Sequence, residues 1–211
     1  MIQELLYGRT RTYLIEGKRK NILIDTDWPG TLPQFFKAIK RAGVTVDTIA
    51  YLLITHYHPD HMGLTQDLVD LGIQLVVMDV QMDFIHQSDS IFTKGDYRDF
   101  KAIKEEECLF LPCAQSRSFL SDLGISGEIV HTPGHSEDSV SLVLDSGQAV
   151  VGDLYPLKQT VLYDNPVLTA TWNDLLRRQL TTVYYAHPLP DNVSCWRSVE
   201  EFETSQTADD F

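Results

Sequence analysis

Seven residues able to bind a metal ion fall just after stretches that read as strands: His56, His58, Asp60, His61, His135, Asp153 and His187. Loops leaving strands at one edge of a sheet can bring such residues together. His56 and His58 are separated by one residue, so in an extended stretch both imidazoles point the same way and can share one ion. Asp60 and His61 follow Pro59, where the chain turns into a helix, and that change of direction lets them serve a second ion beside the first. Imidazole and carboxylate donors suit Zn²⁺, Fe²⁺ or Mn²⁺, and no thiolate is placed to narrow the choice. Two such ions about 3.5–4 Å apart can share a hydroxide and clamp both oxygens of a displacement. Water bound to them has a pKa of about 7 and is a nucleophile at neutral pH. No Ser–His or Cys–His nucleophile is then needed.

Other residues near these positions read differently. His131 precedes the turn at Pro133-Gly134 and reads as structural, and His86 reads as an exposed helix residue. Asp25, at a strand end, reads as a hydrogen-bond partner that holds an imidazole rather than as a ligand. Gly134 and Gly152 read as turn or close-approach positions. Tyr57 and Tyr155 each read first as packing residues, with donation of a hydrogen bond to a developing oxyanion as the competing role.

The elements that would position these groups are legible in outline. Thr12 to Ile15 and Asn21 to Asp25 read as a hairpin. Leu32, Phe35, Phe36 and Ile39 recur at helical spacing between Thr31 and Ala42, and Gly43 supplies a stop. Ile49 to Ile54 is a buried-type strand running into the first cluster of ligands, followed by a helix over Leu64 to Leu71 and a strand over Gln74 to Met78. The polar segment from His86 to Lys104, with Phe92 and Tyr97 in it, reads as a loop with a helical end that covers the site. Further on come a strand from Glu128 to His131 and a hairpin pairing Val140 to Leu144 with Ala149 to Val151. A helix around Trp172 to Leu180 then leads to a strand, Thr182 to Tyr185, that ends at Ala186-His187-Pro188. No linker divides the chain, so residues 1–211 are expected to form one domain.

Composition narrows the function. Hydrophobic residues make up 43% of the 211 and charged residues 22%, as in ordinary globular chains. The net charge is −13, from 17 basic and 30 acidic residues, and the basic run Lys18-Arg19-Lys20 sits in a turn. Nucleic-acid partners usually need a basic face, so none is expected. A pair of divalent ions would offset part of the negative charge. No apolar run is long enough to span a bilayer, so no membrane partner is expected. The segment from Met1 to Tyr7 lacks the basic and apolar regions of a signal peptide, and the expected location is cytoplasmic. Cys108, Cys113 and Cys195 are odd in number and form no CxxC pair, which reads as reduced structural thiols.

Thr55-His56-Tyr57-His58-Pro59-Asp60-His61 resembles the signature of the metallo-β-lactamase superfamily. So does the order of the later segments: His131-Thr132-Pro133-Gly134-His135-Ser136, then Gly152-Asp153, then His187. The resemblance extends from Leu23-Ile24-Asp25-Thr26 to His187. It implies an α/β fold of the αββα sandwich type with the site at one edge between the sheets. It also implies that His56, His58 and His135 bind one metal, that Asp60, His61 and His187 bind the other, and that Asp153 bridges them. The chain departs from the family where Ala186 and Pro188 flank the last histidine in place of glycines, and where the glycine pair after the first motif is Gly63-Leu64.

Fold does not choose among the superfamily's reactions. The absence of a leader disfavours a secreted β-lactamase, and the charge disfavours a nuclease. The stretch after His187 is too short for the C-terminal helical domain of typical glyoxalase II enzymes. The expectation is a hydrolase of the glyoxalase II or lactonase-like branch. It would use a metal-bridging hydroxide on a small ester, lactone or thioester, with two divalent ions, zinc ahead of iron or manganese. Asp60 is expected to ligate one ion and orient the hydroxide, and Tyr155 to assist catalysis. A small-molecule phosphodiesterase and a non-catalytic metal-binding or sensory protein are the alternatives. A homo-oligomer is compatible with all of these.

Overall fold

A computed structural model describes residues 1–95, 97–187, 191–192 and 198–208 of the chain. The first sheet pairs β1 (Ile2–Leu6), β2 (Arg11–Ile15), β3 (Asn21–Ile24), β4 (Ile49–Leu53), β5 (Gln74–Met78) and β6 (Leu109–Leu111) in chain order. Its first three strands are antiparallel and the rest run parallel to β3. The second sheet holds β7 (Gly127–His131), β8 (Val140–Leu144), β9 (Gln148–Val150), β10 (Thr182–Tyr184) and β11 (Asp191–Asn192). Their spatial order is β11-β10-β9-β8-β7, and β9 runs parallel to β10.

Helices cover the outer faces, except the one over Ser116–Leu123, whose Leu120 and Leu123 join the cluster between the sheets. The helices are α1 (Leu32–Arg41), α2 (Pro59–Met62), α3 (Thr65–Val69), α4 (Asp89–Lys94), α5 (Ser116–Leu123), α6 (Pro166–Arg177) and α7 (Val199–Ala208). The facing sides of the two sheets share one buried cluster, with Tyr13, Ile22, Ile24, Leu53 and Val76 from the first against Ile129, Val140, Leu142 and Val150 from the second. A second cluster packs Phe35, Ile39, Leu68 and Phe92 under the outer face of the first sheet. A third packs Leu168, Trp172, Leu175 and Phe202 on the second sheet. This is an αββα sandwich. Strands buried on both faces read as continuous apolar runs, which is why Leu14 and Ile15 of β2 are both buried.

The helices start and stop for local reasons. Asn165 caps α6, its side-chain oxygen accepting from the N–H groups of Val167 and Leu168, and Pro166 takes the first helical position where no donor is needed. In α1 the inward positions are Phe35, Ala38 and Ile39, and Gly43 follows in the left-handed region at φ +72°.

Several elements differ from the sequence expectation. The strands β1 and β6 and the helix α5 were not anticipated, because none shows a clean alternation or a long amphipathic run. The helix expected around Trp172 to Leu180 begins earlier, at its Asn165 cap, and ends at Arg177. Part of the segment 86–104 is anchored to the body of the protein. It contains α4, Phe92 is 1% exposed and stacks on Phe100 at 4.0 Å, and the hydroxyl of Ser88 donates to the Tyr57 carbonyl at 2.6 Å. Phe92 is therefore a core residue. No helix among the described residues is long and apolar enough to cross a membrane. Cys108 and Cys113 are free thiols, and Cys195 lies outside the described residues.

Candidate metal centre

Topology collects the ligand-type residues. Two antiparallel steps separate β7 from β9, and β9 is parallel to β10, so all three run the same way. Their C-terminal ends lead to His135, Asp153 and His187. In the first sheet β3 and β4 run together and lead to Asp25 and to the run from His56 to His61. The two edges meet where the Val140 N–H donates to the Thr55 carbonyl at 2.8 Å and the Arg11 N–H to the Ala186 carbonyl at 2.7 Å.

Two groups of donors converge there. One ligand atom each of His56, His58 and His135 lie within 4.8 Å of one another, and so do those of Asp60, His61, Asp153 and His187. In the first group His58 Nδ1 is 3.0 Å from His56 Nε2 and 3.1 Å from His135 Nε2. In the second, His187 Nε2 is 3.1 Å from Asp60 Oδ2 and 3.4 Å from Asp153 Oδ1, and His61 Nε2 is 3.4 Å from Asp153 Oδ2. Asp153 Oδ2 is also 3.9 Å from His135 Nε2, which puts this carboxylate between the groups. Donors at about 2.0–2.1 Å from a tetrahedral ion are separated by edges of about 3.3 Å, and most of these spacings match. His61 Nε2 and Asp153 Oδ1 are buried without a hydrogen bond, as donor atoms awaiting a cation would be. The residues fit a metal pair.

The surroundings fix the rings. Asp25 occupies the left-handed region at φ +62°, which an aspartate tolerates better than most residues. Its Oδ1 accepts the Thr55 N–H at 2.6 Å, and its Oδ2 lies 2.8 Å from Thr55 Oγ1 and 3.0 Å from His61 Nδ1. Thr55 Oγ1 is in turn 3.2 Å from His56 Nδ1. A consistent proton arrangement has both imidazoles donating from Nδ1, to Thr55 and to Asp25, which leaves Nε2 free to bind metal. Gly152 is pressed onto the same threonine: a Cβ there would sit 2.3 Å from Thr55 Oγ1, and its φ of +60° favours glycine.

Electrostatics separate the rings into two kinds. Burial holds His56 well below the usual imidazole range, reinforced by the neighbouring rings of His61, His58 and His135, and burial also lowers His135. Burial opposes protonation of His61 too, but the carboxylates of Asp25 and Asp153 outweigh it and raise the ring to about 10. Contacts with Asp153 and Asp60 raise His187 to about 10. Against the penalty of its own burial, Asp153 is held far below the carboxylate range by His187 and His61. Burial likewise works against Asp60, and His187 and His61 lower it.

The remaining candidates sort by position. Tyr57 is fully buried in the outer core of the first sheet, its hydroxyl has no hydrogen-bond partner, and burial pushes that hydroxyl well up. The alternation that aims His56 and His58 at one point turns the residue between them away, so Tyr57 packs and does not reach the donors. Tyr155 borders the first group, its ring 5.5 Å from that of His135 and stacked at 4.6 Å on Tyr163. His131 is exposed and bonded through Nε2 to the Glu137 carbonyl at 2.7 Å. His86 sits in a turn, paired with Asp89 and Glu105. Two buried carboxylates were missed by the sequence reading. Asp138 accepts the Tyr57 N–H at 2.6 Å, and Asp27 accepts the Arg9 N–H at 2.6 Å. Neither lies in a ligand-like pattern, so no sequence signal marks them.

Comparison with known proteins gives a consistent result. The sequence model of the metallo-beta-lactamase superfamily matches residues 7–203. A beta-lactamase-like protein 2 homolog of Drosophila melanogaster is 28% identical over 159 residues, 74% of this chain and 50% of that protein. An atrochrysone carboxyl ACP thioesterase of Aspergillus fumigatus is 28% identical over 143 residues, 67% of this chain and 28% of that protein. The chain thus spans half or less of these relatives' length. A protein solved in a di-iron-bound form superposes with a TM-score of 0.65 at 22% identity, covering 91% of this chain and 94% of the other, a likeness of fold.

Proposed function

Since the chain belongs to the metallo-beta-lactamase superfamily, we propose that it is a hydrolase of a small ester, lactone or thioester that uses two divalent transition-metal ions, zinc first among them. The observation that carries the reading is the convergence of two donor groups with Asp153 between them. His56, His58 and His135 would hold one ion, Asp60, His61 and His187 the other, and Asp153 both. Each group draws residues from both sheets, which favours residues 1–211 acting as one domain. When bound, such ions supply Lewis acidity and a water acidic enough to be a nucleophile near neutral pH.

The chain's own residues prepare for that chemistry. Asp25 and Thr55 keep the Nε2 atoms of His61 and His56 free, and the Arg9 carbonyl, 3.3 Å from His187 Nδ1, does the same for His187. Asp60, held ionised beside His187, can orient a water molecule at the centre by accepting its hydrogen bond. Tyr155 stands next to His135, where its hydroxyl can donate to a developing oxyanion. Its stack on Tyr163, which is 43% exposed, offers an aromatic surface beside the centre. A thioester leads the three substrate classes because thioesterase is the activity named for the Aspergillus relative.

The test is a panel of acyl thioesters, lactones, aryl esters and bis-(p-nitrophenyl) phosphate, run on protein of measured metal content. Acyl hydrolysis that is lost with a chelator and restored by metal supports the proposal. Turnover of the phosphodiester alone would replace it, and no turnover by two-metal protein would make the centre a binding site only.

A further inference from the structure

We propose that Asp27, which belongs to neither donor group, is a positioning residue for the second ion: it clamps the turn between β1 and β2, and that turn sets His187 and Asp60. The inference rests on the two-ion reading above.

Asp27 is 1% exposed. Its Oδ2 accepts the backbone N–H groups of Arg9 at 2.6 Å and Thr10 at 3.3 Å, and its Oδ1 accepts the N–H of Trp28 at 2.6 Å. Among the described residues no Lys, Arg or His is ion-paired with it. A buried carboxylate without a cation must be held by donors of another kind, and here successive backbone N–H groups form an anion-holding concavity. The fit is close: a Cβ on Gly8 would lie 1.6 Å from Asp27 Oδ2, so only glycine lets the turn close over the carboxylate.

The clamped turn is bonded to the second donor group at three points. The Arg9 carbonyl lies 3.3 Å from His187 Nδ1, the Thr10 hydroxyl donates to the Asp60 carbonyl at 2.7 Å, and the Arg11 N–H donates to the carbonyl of Ala186, beside His187. His56, by contrast, is held from Thr55. Three consecutive residues thus hold the second group. Asp25 grips the His61 ring, Thr26 binds the His61 carbonyl through both N–H and hydroxyl at 2.8 Å, and Asp27 acts on Asp60 and His187 through the turn. The consequence is selective: releasing the clamp loosens the second ion and leaves the first.

Asp27→Asn removes the charge and presents an amide to donors that need an acceptor. Thr10→Val keeps the shape, leaves the clamp intact and deletes only the bond to Asp60. Both are dialysed against graded chelator, and the retained zinc is counted by elemental analysis beside the wild type. Cobalt-substituted samples report each site's absorption bands, and thermal melts follow stability. The expected result is loss of one ion from Asp27→Asn at a chelator concentration roughly tenfold or more below that for the wild type, with the other retained. Thr10→Val should shift the same way by less, and it decides the matter if Asp27→Asn does not fold. Both variants keeping two ions at the wild-type threshold, or losing both together in step with the melting temperature, overturns the inference. A wild type that binds only one ion overturns the two-ion reading and this inference with it, whereas two ions in wild type and variants alike overturn this inference alone.

Discussion

Asp25 Oδ2 lies 3.0 Å from His61 Nδ1 while Asp25 Oδ1 takes the Thr55 N–H at 2.6 Å, so one buried carboxylate sets both the ring of a candidate donor and the backbone entering the first motif. Asp25→Ala should weaken metal binding by about 10–100-fold, the usual effect of losing a carboxylate behind a metal-binding imidazole. It should also lower stability by about 1–3 kcal/mol, because the buried Thr55 N–H is left without an acceptor. Chelator competition and denaturant unfolding measure the two effects. Unchanged affinity would show that His61 keeps its orientation without Asp25.

The histidines should divide by position. His135→Ala removes a nitrogen 3.1 Å from His58 Nδ1, and both activity and metal content should fall. His131→Ala removes one exposed bond to the Glu137 carbonyl, and its cost should stay near about 1 kcal/mol with metal intact. His86→Ala breaks only exposed pairs with Asp89 and Glu105, which contribute little. Elemental analysis of the three variants checks the order, and metal loss in His131→Ala would overturn it.

The sequence made the positions of the converging donor residues legible because each follows a strand with its own local pattern. The alternation of His56, Tyr57 and His58 even contained the orientation of Tyr57, had it been applied to the middle residue. Asp27 and Asp138 were not legible. A buried carboxylate held by backbone N–H groups of distant loops looks, in sequence, like any turn aspartate. The anchoring of segment 86–104 was not legible for a related reason. Its composition is polar, but Ser88 and Phe92 find their partners at Tyr57, Trp28 and Phe100, and local periodicity does not reveal packing of that kind.

The burial of Phe92 can be tested directly. Phe92→Ala should destabilise the protein by about 3–5 kcal/mol, as for other buried phenylalanines. In protein that remains folded at low temperature, metal content should stay at the wild-type value. Tyr97 stacks on Trp28 at 5.3 Å and is 38% exposed, so Tyr97→Ala should cost far less. Paired denaturant curves decide between these, and equal costs would contradict the packing described.

Metal uptake should be linked to protons. In metal-free protein His61 and His187 are both raised to about 10, above the free imidazole value of about 6.5. The stability they contribute to that form is therefore complete below about pH 6.5 and is lost as pH rises through about 10. Ions bind the deprotonated rings, so affinity should increase between pH 7 and 10, with release of roughly two protons per chain at pH 7.5. Titration calorimetry in buffers of different ionisation enthalpy measures the release. Binding without it would mean that both rings are already neutral.

The division of both donor groups between the two sheets bears on how the protein is made. Synthesis runs from the N-terminus, so His56, His58, Asp60 and His61 emerge from the ribosome long before His135, Asp153 and His187. On the two-ion proposal, the early residues of a nascent chain would offer an ion only half of each donor set. On the same proposal, firm capture of the second ion must wait until β10 has docked beside β9 and carried His187 into place. Loading of that ion would then be among the last events of maturation, and its retention would report that the C-terminal half has closed on the N-terminal one.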